Sequence, residues 1–534
     1  MMISKIFQNI NWKTLLYFSP ILLVFSYFFY QSLFYNLHDF SNSYFSARMI
    51  REGVSHSQLF DIYEFNSYIW NLGYKDVLVD FYLNSPFTIS LFYPLSFIEN
   101  PYVAKAIFNL IGIVLFIWSL FVLIKKKFDG KYSILLILPI LFFIPIRNQI
   151  LFGQSYFLIL SLVIFGFLFM ENKKEGIGAS LLSIAVLLKI FPVFYGVSLL
   201  FNKSWKAILI GGLSLIVFIL FSIYISGFSI WEAYFTEIIP NAIQNNSTVD
   251  FRYNAQSFDV LLRTLFMEDS YYNPNALFNN ERLYVLWKWL FKSVVIAFAI
   301  GVSFTQKNNL FKLLSIWIVA LFLLQSRTAT YAQILWVLPA ICFWKQNTTT
   351  TKKIIFLLIL LVVCNMPVYA LKQLPIFFKF SRLWLTLLLA ILFYGSFSVK
   401  FNYKWLFISI LILTPFHLKV LEKNKSIISE YVLAEKEHFI IYDFYEKGGY
   451  LFIKALGRNG DEIVKTDISI SSFQENVLDI KGNQILLDKK VILEDYSLKK
   501  KPVLVNETEV YYLTDHHSRR GAYTIKKVSI EKVH

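Results

Sequence analysis

The sequence predicts an α-helical polytopic membrane bundle of about 11–13 spans followed by a small all-β domain. Three observations carry that reading. The chain of 534 residues is 56% hydrophobic and 19% aromatic, with a mean hydropathy of +0.54, well outside the range of soluble domains. Apolar runs of about 18 residues or more recur along its first four-fifths, as membrane-crossing helices require. From about residue 422 the pattern changes to short β-rich segments such as HFIIYDFY and GYLFIKALG, separated by turn signals at Gly448-Gly449, Asn459-Gly460 and Gly482-Asn483.

Charge placement orders the spans. Lysine and arginine outnumber aspartate and glutamate 51 to 35, a net charge of +16. The excess falls in short loops between apolar runs, so it reads as the cytoplasmic bias of membrane proteins and not as a nucleic-acid surface. The first span, 14–34, follows Lys5 and Lys13, lacks a small-residue cleavage site, and is expected to be a retained first helix. Its N-terminus is expected inside, which puts the loop carrying Asp39 outside. The segment 86–98 is too short to cross at about 1.5 Å per residue and is expected along the outer interface. Spans at 101–124, 132–150 and 156–170 follow, with Lys125–Lys127, Lys173 and Lys174 inside.

Residues 177–201 then lie between two basic loops, Lys173/Lys174 and Lys203/Lys206. With both loops inside, the stretch enters and returns as a broken hairpin. Each arm is about 12 residues, or about 18 Å, short of the far surface. The apex is LLKIFP, where Pro192 interrupts the helix and Lys189 sits in the outer half of the membrane. Further spans at 206–226, 284–304, 310–325, 354–371, 383–398 and 405–418 keep every inner loop basic. The division is therefore 1–421 for the membrane domain, with outer loops at 35–100 and 227–283, and 422–534 for an extracytoplasmic β domain. Cys342 and Cys364 lie in apolar runs and imply no disulfide. Asp515-His516-His517 reads as a solvated hairpin loop, since no further ligand set accompanies it.

The stretch from Tyr35 to Pro86 organises the rest. A loop of about 50 residues after a first span is too long for a linker, and its aromatic content argues against disorder. There is no glycine-rich nucleotide loop and no zinc spacing, so no metal or cofactor is called for. The polar residues that are costly near a membrane are Asp39, Arg147, Gln154, Lys189, Arg252, Arg263 and Arg327. One carboxylate with several cations suits group transfer from a lipid phosphate. The base takes a proton from an acceptor hydroxyl, and the cations stabilise the departing phosphate. Asp39 also fits a helix N-cap, since SNSYFSARMI follows it. His38 is a neighbour of such a site.

Five segments resemble glycosyltransferase family 87, the polyprenol-phosphate-mannose-dependent mannosyltransferases of GT-C architecture. HDFSNSYFSARMIREG followed by LFDIY resembles the family's Asp-x-x-x-Tyr-x-x-Ala…Gly…Leu-Tyr-Asp pattern. YLNSPFTISLFYPLSFI is similar to its Tyr-x-Tyr-Pro-Pro-Phe…Pro-Leu segment, with Ser85 in place of the first proline. FGQSYFLILSLVIFG resembles a Gly-Gln-x-Asn segment, with Ser155 and Tyr156 departing from it. SLLSIAVLLKIFPVFYGVSLLFNKSW is similar to a Leu-Lys-x-x-Pro hairpin, and YNAQSFDVLLRTLF resembles an Asn-x-Ser…Arg segment. SRTATYAQILWVLP stands where the family often has Ser-Pro…Trp-x-His and carries no histidine. The likeness spans about residues 14–345 and leaves the β domain outside it.

The resemblance implies a GT-C bundle that moves a hexose, mannose in the family's case, from a polyprenyl-phosphate sugar to an acceptor hydroxyl. It casts Asp39 as general base on the extracytoplasmic face, with Lys189, Gln154, Arg327, Arg147, Arg252 and Arg263 about the substrates. The implied partners are the lipid-linked donor, a glycan or glycolipid acceptor and the bilayer, with no nucleic acid. Three other readings stay open: a polyprenyl-lipid transporter or flippase, which broken helices with a buried cation also mark; another polyprenyl-phosphate sugar transferase or oligosaccharide ligase; and a glycan-binding scaffold built on the β domain.

Overall fold

A computed structural model of the chain describes residues 12–54, 59–75, 77–81, 84–127, 135–240, 253–268, 273, 275–397, 403–423, 430–432, 440–457, 460–481, 484–494, 499–515 and 523–530. It is mostly helical, with an all-β region at the C-terminal end. On length and composition, three described helices could each cross a membrane: Pro101–Lys127, Trp205–Ser226 and Glu281–Thr305. A bent pair, Phe143–Phe152 with Tyr156–Glu171, makes a fourth if counted as one span. Trp12–Ser32 and Tyr403–Lys423 run for 21 residues each, and the remaining apolar helices among the described residues are shorter.

α1 (Trp12–Ser32) leads into α2 (Phe40–Arg51) and α3 (Ile62–Asn71). Next come α4 (Phe87–Phe92) with a 3-10 turn at Tyr93–Phe97, and α5 (Pro101–Lys127). Segment 86–98 packs one face on the bundle: Phe87, Ile89 and Phe92 are buried, and Ser90 hydroxyl hydrogen-bonds Ser222 at 2.9 Å.

The expected span 132–150 is α6 (Leu138–Leu141) and α7 (Phe143–Phe152). Pro145 lacks the N–H that the Leu141 carbonyl would accept. Asn365, the last residue of α17 (Thr350–Asn365), supplies the replacement. Its Nδ2 donates to Leu141 O at 2.9 Å, and its Oδ1 accepts from Ile144 N at 2.9 Å. The break is thus stable in an apolar setting because a neighbouring side chain satisfies the freed backbone. α7 then turns through 113° into α8 (Tyr156–Glu171).

α9 (Glu175–Leu188), α10 (Val193–Phe201) and α11 (Trp205–Ser226) form the broken hairpin and its exit. α8 and α9 pack so closely that a Cβ on Gly178 would lie 2.5 Å from Gly166 O. α9 and α11 start at the same end. Gly176 faces Ile210, Ser180 meets Ser214 at 2.8 Å, and the far half of α11 reaches α4 through Ser222. The intervening α10 must therefore run back, as the basic loops on either side predicted.

α12 (Phe228–Ala233), α13 (Phe258–Phe266), α14 (Glu281–Thr305) and α15 (Leu310–Leu324) follow. A 3-10 turn at Tyr331–Trp336 enters α16 (Val337–Trp344). Beyond α17 lie α18 (Ile376–Lys379), α19 (Ser381–Gly395) and α20 (Tyr403–Lys423). One end of the bundle is basic: Lys126 and Lys127 of α5 pair with Glu171 of α8 at 3.0 and 2.6 Å. The opposite end carries α2, α3 and α4.

Among the described residues the β region has strands β1 (Glu430–Tyr431), β2 (Ile440–Lys447), β3 (Tyr450–Gly457), β4 (Gly460–Ser469), β5 (Phe473–Gln474), β6 (Leu478–Lys481), β7 (Gln484–Leu487), β8 (Lys490–Glu494), β9 (Lys499–Val505), β10 (Glu509–Thr514) and β11 (Thr524–Ser529). They form three antiparallel sheets, β1-β11-β10-β9-β5, β2-β3-β4 and β6-β7-β8. It docks on α3. Tyr442 of β2 (Ile440–Lys447) stacks on Tyr63, with ring centroids 4.3 Å apart. Asp61 caps α3 with Oδ1, which accepts from Tyr63 N and Glu64 N. Its Oδ2 accepts from Lys500 Nζ at 2.5 Å and from Tyr523 hydroxyl at 3.4 Å.

Candidate active site

A cavity of about 220 Å³ opens where α2, α4, the α7–α8 junction and the α9–α10 break converge. Asp39, Asn42, Asp80, Asn84, Gln154, Lys189 and Tyr331 are among its lining residues. Each wall follows from local sequence. His38 takes a left-handed φ of 48° and lays its ring on Phe152 at 3.8 Å, nearly parallel. That turn delivers Asp39 to the start of α2. Asp39 occupies the N-cap position yet makes no capping bond with its side chain. Its carboxylate faces the cavity instead, a third exposed.

Two partners hold the carboxylate. His38 Nδ1 lies 3.1 Å from Oδ1, and Gln154 Nε2 donates to Oδ2. Burial pushes the Asp39 carboxyl up. The hydrogen bonds of His38 and Gln154 and the charges of His38 and Lys189 outweigh it, so the group sits below its usual value. The positive end of the α2 dipole acts in the same sense. Asp39 is thus ionised across the neutral range.

Gln154 reaches Asp39 because Gly153 ends α7 with φ 66°, a left-handed conformation that costs other residues about 1–2 kcal/mol. A Cβ there would also lie 2.6 Å from Phe40 Cβ. Lys105 ties the same elements together: its buried ammonium donates to Asn36 O and Leu151 O, both at 2.6 Å. Sequence reasoning missed Lys105, whose place near the start of an apolar run looks like an interfacial snorkel.

Lys189 ends α9 in extended backbone, φ −149° and ψ 134°. The break before Pro192 turns it into the cavity. Among the described residues its ammonium has no hydrogen-bond or ion-pair partner. An unpaired cation in an apolar bundle favours an anionic ligand.

Three expected site residues therefore share one cavity: Asp39, Gln154 and Lys189. Arg147 on α7, Arg263 on α13 and Arg327 on the turn ahead of Tyr331 do not line it. Arg263 instead lies 3.5 Å from Asp259 and over the Tyr284 ring. Arg252 lies outside the described residues. Asp80, Asn42, Asn84 and Tyr331 line the cavity and were not singled out from the sequence. The DFYLNSPF motif holds two of them, and a carboxylate at its head is the signal that could have found Asp80. Among the described residues no three His, Cys, Asp or Glu side chains converge on one point.

The arrangement provides an ionised carboxylate and an unpaired ammonium in one small polar cavity at the end of an apolar bundle. No curated protein and no solved structure matches the chain. Residues 82–326 match the model of glycosyltransferase family 87. That stretch includes Gln154 and Lys189 and begins after Asp39. The match covers under half of the chain, and over that stretch the sequence is similar to a glycosyltransferase family 87 domain.

Proposed function

We propose that the protein moves a hexose, mannose by the family's precedent, from a polyprenyl-phosphate sugar to an acceptor hydroxyl on the extracytoplasmic face. The observation that carries this reading is the shared cavity of Asp39 and Lys189. In the proposed step the Asp39 carboxylate removes the proton from the acceptor hydroxyl. The acceptor oxygen forms a bond to the anomeric carbon as the bond from that carbon to the phosphate oxygen breaks. The electron pair leaves with the polyprenyl phosphate, and Lys189 stabilises the charge that develops there. The configuration at the anomeric carbon inverts. Gln154 keeps Asp39 oriented toward the acceptor.

Sidedness rests on the opposite, basic end of the bundle, where Lys126 and Lys127 gather with Glu171, as cytoplasmic ends do. The cavity volume falls below the ~300–1,000 Å³ of pockets for drug-sized ligands, which suits one sugar ring at the reacting centre. The test is to incubate purified protein with a panel of polyprenyl-phosphate sugars and alcohol acceptors and to measure released polyprenyl phosphate. Release from the mannosyl donor, abolished by Asp39→Asn, is expected. Release from none of the panel would remove the assignment.

A further inference from the structure

α3 is 10 residues long, and a helix of that length is marginal on its own in water. Its contacts therefore decide its place, and they run in two directions. Phe65 and Ile69 join the core of the bundle. Ile62 instead packs with Tyr63, Trp70 and Tyr442 of β2, and the Tyr63 ring stacks on Tyr442. Asp61 completes the joint. One carboxylate oxygen caps the helix, and the other accepts from Lys500 of β9 and Tyr523. The Lys500 ammonium also lies 4.8 Å from the centre of the Tyr523 ring. The first turn of α3 is thus held from the β side.

The same turn leads to the cavity. Asn66 is fully buried, and its Nδ2 donates to Ile62 O at 2.6 Å and to Val79 O at 2.9 Å. Its Oδ1 accepts from Val79 N at 2.8 Å. One planar amide therefore takes both backbone groups of Val79, as an antiparallel neighbour does. Trp70 Nε1 donates to Val77 O at 2.9 Å. Residues 77–80 form neither helix nor strand, so these bonds set their course. The next residue, Asp80, lines the cavity, and its N–H donates at 2.9 Å to Asn42, a second lining residue.

We propose that the β domain is a positioning element for the transfer reaction: through Asp61 and α3 it keeps residues 77–80 in place at the cavity lining. The inference rests on the transferase reading above and gives a role to a domain that lies beyond the family match of 82–326. Asn66 is the relay, because it bonds Ile62 in the docked turn and Val79 in the lining strip with one side chain. A misplacement of about 1 Å from a change far from the chemistry can cost about 10²-fold in rate, so a brace at this distance matters to a small cavity.

The test uses full-length protein in detergent. Hydrogen–deuterium exchange is read by mass spectrometry, and transfer is read as released polyprenyl phosphate. Lys500→Met with Tyr442→Ala removes the joint from the β side. The Lys500 side chain is 52% exposed, so its loss leaves the β core intact. Asp61→Asn keeps a capping side chain and removes the charge that Lys500 meets. In both variants the peptide carrying the Val79 and Asp80 amides is expected to exchange at least fivefold faster, with exchange in α5 unchanged. The kcat for transfer is expected to fall at least fivefold, with the donor KM within twofold. Lys500→Arg keeps the ion pair and is expected to match wild type in both readouts. Unchanged exchange at 79 and 80 overturns the proposal, and so does faster exchange with transfer unaltered. Faster exchange throughout the bundle also overturns it, since the domain would then be a general stabiliser. Failure of the transferase reading shows separately, as wild-type protein that releases no polyprenyl phosphate, while the exchange measurement still decides whether the β domain holds residues 77–80.

Discussion

Two of the charge clusters in the helical region are built on opposite plans. In the first, Asp259 of α13 takes Lys288 Nζ and the Tyr284 hydroxyl, each at 2.7 Å, with Arg263 at 3.5 Å. Its side chain is 4% exposed, and Lys288 also donates to Tyr284 at 2.9 Å. Burial raises this carboxyl, but the cations of Lys288 and Arg263 hold it well below the usual range. In the second, Asp39 is 33% exposed and Lys189 stands in the same cavity without touching it. In the first cluster the carboxylate meets its cations directly. The second keeps its cation and anion apart around a space. Opposite charges near each other are a structural lock when they meet and a candidate site when something holds them apart.

The largest expected effect tests the open plan. Asp39→Asn preserves shape and removes the base, and general-base catalysis typically contributes 10²–10⁴-fold. A loss of about 10³-fold in transfer rate, with donor binding retained, is expected from a radiolabelled-donor assay. A loss under tenfold would make Asp39 a structural acid and erase the contrast. For the closed plan, Asp259→Leu leaves Lys288 and Arg263 without their carboxylate. Breaking a buried pair costs about 3–5 kcal/mol, so a large drop in the thermal midpoint of the detergent-solubilised protein is expected. Activity per folded molecule should stay near wild type. Loss of activity at full stability would mean that the closed cluster also serves the reaction.

Lys189→Met comes next. Removing one stabiliser of developing charge costs about 10²–10³-fold in related oxyanion sites. The loss is expected in transfer rate and donor affinity together, with little change in stability, because Lys189 has no described partner to lose. Severe unfolding of this variant would instead place Lys189 among the structural charges.

How far the site could be read from sequence follows from what held each residue in place. Asp39 and Lys189 were legible because a membrane makes charge conspicuous: one is an early carboxylate after the first span, the other a lysine between basic loops. The hairpin was legible for the same reason, and α9 and α11 starting at one end agrees with it. Asp80 was not legible. Its position depends on Asn66 and Asn42, contacts that no local pattern announces. The break in 132–150 was hidden too, since the residue that repairs it, Asn365, lies 224 positions away from Leu141. The three arginines outside the cavity show the converse. Cost in a membrane flags a residue, but Arg263 meets that cost through Asp259 and Tyr284.

The smallest effect at neutral pH comes from Gln154→Leu, and it separates the two plans by their titration. In the closed cluster Asp259 is held by full cations. In the open one, part of Asp39's stabilisation is the neutral Gln154 amide. A hydrogen bond to a charged group contributes about 1.5–3 kcal/mol, and one pKa unit corresponds to about 1.36 kcal/mol. Gln154 favours the ionised form, so its loss moves the Asp39 pKa upward. The base is active when deprotonated, and in wild type its acid limb lies below the ordinary 3.8. In Gln154→Leu the acid limb of kcat/KM is therefore expected to move up, with the rate at pH 7 reduced only a few-fold. Folding follows the same sign: a depressed carboxylate pKa stabilises above the unfolded value, and that contribution fades as pH falls through the folded pKa. An acid limb that stays in place while the rate falls at every pH would show that Gln154 touches substrate and does not hold the base.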